Sequence, residues 1–149
     1  MARNSAAYDD DFFAWTQDQA RLLREGNLSL IDAENVAEEI ESMGRSDRRQ
    51  LESRFTVLLM HLLKWQVQTE FQSRSWSSTI RTQRHEIEAL LADSPSLRHV
   101  VEQPRAALYL WARRNAADET GISEKNFPRT CPFTPAQILA EEFLPDDQP

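Results

Sequence analysis

Apolar side chains recur along this chain at helical spacing, and the polar residues between them mark where helices start and stop. The first stripe is Phe12, Trp15, Leu22 and Leu23. It is preceded by Asp9 and Asp10, either of which can cap free helix amides, and with Asp9 as the cap Tyr8 and Phe13 would staple the first turn. Gly26 supplies a natural stop. A second helix is predicted from Asp32, with Glu34 early in it and a stripe of Val36, Ile40 and Met43. Continuing that stripe at 3.6 residues per turn places Asp47 on the apolar side, so a break or kink is expected near Gly44–Ser46.

The next segment is the most apolar. Leu51, Phe55, Leu58, Leu62 and Trp65 form one stripe, widened by Val57, Leu59, Met60 and Leu63. A helix apolar on nearly all sides is enclosed by others. Its polar row is Arg54, His61, Lys64 and Gln68. After a polar link at 69–75, Trp76, Ile80, Ile87 and Leu91 predict a further helix, ended at Asp93-Ser94-Pro95. Leu97, Val101, Leu108 and Trp111 continue the pattern, kinked or divided by Pro104 and ended by Gly121. Thr134-Pro135-Ala136-Gln137 reads as a capping box before a short helix carrying Ile138, Leu139 and Phe143. Phe127 and Phe133 are expected to close one end with it.

The pattern predicts an all-α helical bundle of about four main helices with a short C-terminal closing helix. Residues 1–7 read as a loose tail, 8–145 as a single helical domain and 146–149 as a second tail. The 149-residue length fits one core, and 40% hydrophobic with 28% charged residues is a globular balance. Only 3 glycines leave few positions for the tight turns of an all-β fold.

The net charge of −7 is unevenly spread. Residues 1–44 hold 3 basic and 10 acidic side chains, residues 45–84 hold 8 and 3, and residues 85–149 hold 6 and 11. An acid excess disfavours general nucleic-acid or membrane binding. The basic middle is read first as pairing with neighbouring acids, and second as a stripe open to an anionic partner. Cys131 is the lone cysteine, so no intrachain disulfide forms. The longest apolar run, Val57 to Leu63, is interrupted by His61 and falls short of the roughly 20 residues that span a bilayer. The first residues lack an apolar signal core, so cytoplasmic residence is expected.

Several segments together carry a family resemblance. They are YDDDFFAWTQDQARLLR at 8–24, ENVAEEIESMGRSDRRQLESRF at 34–55, LLMHLLKWQ at 58–66, SRSW at 73–76 with Ile80, Gln83 and Arg84, DSPSL at 93–97, and FPRTCPFTPAQILAEEFLP at 127–145. The chain resembles the bacterial domain-of-unknown-function family number twenty-nine over nearly its whole length. It departs from that pattern at 66–75, where a proline near Thr69 and a more basic link are expected. The resemblance implies an all-α domain and carries over no activity, substrate or catalytic residue.

Candidate chemistry is sparse. His61, His85 and His99 fall on different predicted helices, and no Glu-x-x-His or His-Glu-x-x-His occurs. Glu38, Glu41 and His61 form the one polar cluster worth weighing as an enzyme or metal site, though Arg54 and Lys64 share the row of His61 and would repel a cation. No Gly-x-Ser-x-Gly elbow or phosphate-cradling loop is present. Cys131 reads as a small packed residue, with no catalytic residue, metal or cofactor expected. The reading that remains is a helical module that binds an unknown protein partner or itself. Its candidate surface is Arg45, Arg48, Arg49, Lys64, Trp65, Trp76 and Arg81, with Trp111 a further aromatic anchor. The alternative is a nucleic-acid-linked regulatory or toxin–antitoxin component using the basic 45–84 segment, without membrane attachment.

Overall fold

A computed structural model describes residues 7–145. It is all-α, with no strand among the described residues. A helical turn at 7–10 precedes α1 (Phe12–Glu25), α2 (Ala33–Val67), α3 (Arg74–Asp93), α4 (Arg98–Glu102), α5 (Ala106–Thr120) and α6 (Pro135–Leu139). The chain resolves into two compact units, Met1–Ser46 and Asp47–Pro149. Most of the tails expected at 1–7 and 146–149 lies outside the described residues.

The expected break near Gly44 does not occur, for α2 runs 35 residues without interruption. The premise behind that break was a buried Val36–Ile40–Met43 stripe. Ile40 and Met43 are in fact 62% and 69% exposed, so Asp47 follows them into solvent at no desolvation cost. Gly44 keeps a negative φ, unlike Gly26 and Gly121. Those two end α1 and α5 in the left-handed region, as anticipated.

The N-terminal unit is held mainly by polar clasps. The cap of α1 is Asp11 rather than Asp9 or Asp10, its carboxylate accepting from the Ala14 amide at 3.0 Å. Buried Trp15 donates its indole N–H to Asp32 Oδ2 at 3.2 Å, and Asn35 donates to the same oxygen at 2.8 Å. Buried Gln19 accepts from the Asp32 backbone amide at 2.8 Å. Tyr8 donates to the Glu39 carboxylate, which pushes the phenol pKa up to about 12. The Tyr8 ring packs edge-on against Trp15, 4.8 Å between centroids. Beyond Trp15 and Leu22, the unit buries no large apolar side chain among the described residues.

The C-terminal unit has the core the apolar pattern predicts. Leu51, Phe55, Leu58, Leu62 and Trp65 of α2 are buried against Ile80, Ile87 and Leu91 of α3 and against Val101, Leu108 and Ala112. Each such large side chain contributes about 1.5–3 kcal/mol through lost apolar hydration. Ser73 caps α3 by accepting from the Trp76 amide at 3.2 Å. Pro104 falls in the break between α4 and α5, dividing the segment. Within α5 the buried face runs from Leu108 through Ala112 to Ala116, so Trp111 is 56% exposed, contrary to its expected place in the stripe. Thr134 and Gln137 form the capping box of α6 with Pro135 at its first position. The helix ends at Leu139, so Phe143 lies beyond it, though still packed with Phe133.

Candidate interaction surface

The sequence-predicted surface divides into residues that are engaged and residues that are open. Arg45 pairs with Glu38 at 2.7 Å and Glu41 at 3.6 Å on its own helix. Arg48 reaches Glu52 at 3.5 Å. Arg49 and Arg81 are exposed and make no ion pair among the described residues. Lys64 and Trp65 are 6% and 8% exposed, which removes both from any surface. Sequence periodicity placed Lys64 in a polar row, but its long stem allows burial if the ammonium finds a partner. Lys64 Nζ donates to Glu119 Oε2 at 2.7 Å and lies 4.6 Å from the Trp76 ring centre. Trp76 is therefore half-buried under a cation rather than open as an anchor.

The cluster of Glu38, Glu41 and His61 is not assembled. The two glutamates are spent on Arg45. His61 donates Nδ1–H to the Val57 carbonyl at 2.9 Å, and burial lowers its pKa, with nearby Lys64 acting in the same direction. Among the described residues, no group of three His, Cys, Asp or Glu has the arrangement to hold a metal. Cys131 is half-buried, its thiol donating to the Phe133 carbonyl at 3.4 Å, and burial raises its pKa. A raised thiol pKa disfavours the nucleophilic thiolate.

The basic middle is also depleted by structure. Arg84 is 5% exposed and points its guanidinium at carbonyls of the C-terminal segment. Arg54 lies 3.8 Å from Glu86. What remains of the proposed stripe is Arg49, Arg74 and Arg81.

The residues that sequence reasoning missed are apolar. Among the described residues, ten large hydrophobic side chains are exposed, and seven of them belong to the N-terminal unit. These are Phe12, Phe13, Leu23, Leu28, Leu30, Ile40 and Met43, with Phe13 the most open at 72%. Scattered exposed apolar residues are ordinary, but seven of the ten fall in this one small unit, which buries only two large apolar side chains among the described residues. Phe12, Leu23, Ile40 and Met43 belong to stripes visible in the sequence, but periodicity reports an apolar face without saying what faces it.

The N-terminal unit also contains a groove of about 540 Å³ lined by Leu22, Leu30 and Ile31 together with Asp18, Asp32 and Glu34. Arg21 also lines it, and is held by Glu25 at 3.1 Å and Asp18 at 3.6 Å. No helix of the described residues is long and apolar enough to cross a membrane.

Comparison with known protein families gives a match over nearly the whole chain. The model of the family described as Domain of unknown function DUF29 fits residues 7–144. No curated protein and no solved structure matches the chain.

Proposed function

We propose that this chain, which belongs to the DUF29 family, is a protein-interaction module whose N-terminal unit docks an apolar, basic segment of another protein. One observation carries the reading: the seven exposed apolar side chains of a unit whose helices are joined through Trp15, Gln19, Asp32, Tyr8 and Glu39. Polar clasps hold the two helices together, so their apolar residues stay available to a partner. Phe12 and Phe13 are suited to anchor the contact, since aromatic side chains carry much interface energy. The 10 acidic side chains among residues 1–44 select a basic counterpart and disfavour pairing with a second acidic unit of the same kind.

The nucleic-acid reading draws less support. Its arginines at 45, 48, 54 and 84 are already engaged with glutamates or carbonyls of this chain.

The test is a paired capture from a lysate of the source cells, using the full chain and its Phe13→Asp/Ile40→Asp variant. Both positions are exposed, so the variant should keep the far-ultraviolet dichroism of the wild type. The reading expects a protein retained by the wild type and lost by the variant, with a basic apolar segment at the contact. Equal retention by both proteins, or recovery of nothing but further copies of this chain, would contradict it.

A further inference from the structure

The C-terminal unit contains a cavity of about 370 Å³, lined by Phe55 and Leu59 of α2, Tyr109 of α5, Phe133, and Ile138 of α6. The volume and the apolar lining fall in the range of small-molecule sites, which carry a few placed polar groups. Apart from exposed Thr130, the polar side chains of the lining are Tyr109, Cys131, Arg105 and Arg129. Tyr109 donates its hydroxyl to the Pro128 carbonyl. Cys131 donates its thiol to the Phe133 carbonyl. Burial pushes the Tyr109 phenol up to about 12 and raises the Cys131 thiol, so both are neutral at physiological pH. Arg105 is held by both oxygens of Glu52, at 3.1 and 2.7 Å. Arg129 also lines the cavity and is exposed to solvent, and it makes no ion pair or hydrogen bond among the described residues.

A half-open apolar pocket with one guanidinium unpaired among the described residues at its solvent side selects a ligand with an apolar body and one anionic head. A guanidinium matches a carboxylate in shape and can pair with both its oxygens. We propose that this cavity binds a small amphiphilic carboxylate, its hydrocarbon body against Phe55, Leu59, Tyr109 and Ile138 and its carboxylate on Arg129. This site lies wholly within the C-terminal unit, so it stands or falls independently of the N-terminal docking surface.

The chain reports its own occupancy. Cys131 is the lone cysteine of the sequence and lines the cavity, so its alkylation rate by a neutral maleimide follows access to the chamber. Decanoate below its micellar concentration is the probe, with decanol and decyltrimethylammonium as matched controls. The proposal expects decanoate to slow alkylation at concentrations about tenfold lower than decanol, a difference of one charge-assisted contact. Decyltrimethylammonium should protect least. Arg129→Gln should abolish the preference for decanoate while leaving the unfolding midpoint unchanged, because the wild-type side chain has no partner among the described residues to lose. Leu59→Trp should fill the chamber and remove protection by every probe. Should that variant misfold, Arg129→Gln still decides. Equal protection by decanoate and decanol, no protection by any probe, or an undiminished decanoate preference in Arg129→Gln would each overturn the proposal.

Discussion

Arg84 closes the C-terminal end of α6, its Nε–H donating to the Ile138 carbonyl oxygen at 2.8 Å. Its remaining nitrogens reach the Glu141 carbonyl at 3.2 Å and the Gln137 carbonyl at 3.4 Å. The last carbonyls of a helix lack intrahelical partners, and a cation there also meets the negative end of the dipole. Burial lowers the Arg84 pKa, yet guanidinium is so basic that it stays charged at any physiological pH. A short helix near the end of the chain is thereby fixed to α3.

Removing that group should loosen the closing segment. Arg84→Ala is expected to cost about 1–3 kcal/mol, since it leaves the carbonyl of buried Ile138 without the Arg84 donor. Arg84→Lys should recover only part, because a compact ammonium cannot reproduce the planar fork. Urea unfolding of the three proteins measures both differences.

The Lys64–Glu119 pair makes an asymmetric prediction. Glu119→Ala strands a buried ammonium and should cost about 1–3 kcal/mol, reduced from the fully buried case because Glu119 is half-exposed. Lys64→Met replaces the stem with apolar volume under Trp76 and should cost less. Chemical unfolding of both variants checks the order, and a larger loss in Lys64→Met would contradict it.

Acid should weaken the fold in two separable steps. Burial lowers the His61 pKa, so the unfolded chain binds the proton more readily than the folded one. Stability is therefore lost as pH falls below the ordinary histidine value of 6.5 toward the folded value. Glu52 is held below the ordinary 4.5 chiefly by its hydrogen bond from Arg105. Its contribution is present above that value and disappears as pH falls through the folded pKa. His61→Gln should flatten the upper part of the acid limb and Glu52→Gln the lower part, read from unfolding midpoints across pH.

The continuity of α2 predicts opposite signs at different glycines. Nothing lies within 4 Å of a Cβ built on Gly44, and its φ is ordinary, so Gly44→Ala should stabilise by about 0.5–1 kcal/mol. Gly121 sits at φ +72°, where an alanine is strained, so Gly121→Ala should destabilise. Thermal melts of the two variants report the signs. Destabilisation by Gly44→Ala would favour a broken helix.

Much of this architecture was legible in the residues. The stripe from Leu51 to Trp65, the left-handed stops at Gly26 and Gly121, the division at Pro104 and the Thr134 capping box all follow from local chemistry. What escaped were matters of partnership. Ile40 and Met43 share the spacing of a buried stripe, and only tertiary structure shows that they are exposed. Lys64 reads as a surface residue until Glu119, 55 positions later, is placed beside it. Trp111 fell out of phase because alanines at 112 and 116 fill the core with little bulk. The open apolar surface of the N-terminal unit was therefore invisible to periodicity, whereas the helices that display it were not.

That surface is the central claim, and a photo-crosslinking amino acid placed at Met43 tests it most directly. Met43 is 69% exposed, so the replacement should leave the fold intact. The account predicts crosslinks from position 43 to an apolar, net-basic segment of another protein, and far fewer from the same reagent placed at Glu88 of the C-terminal unit. Equal yields at the two positions, or crosslinks at position 43 only to other copies of this chain, would contradict it.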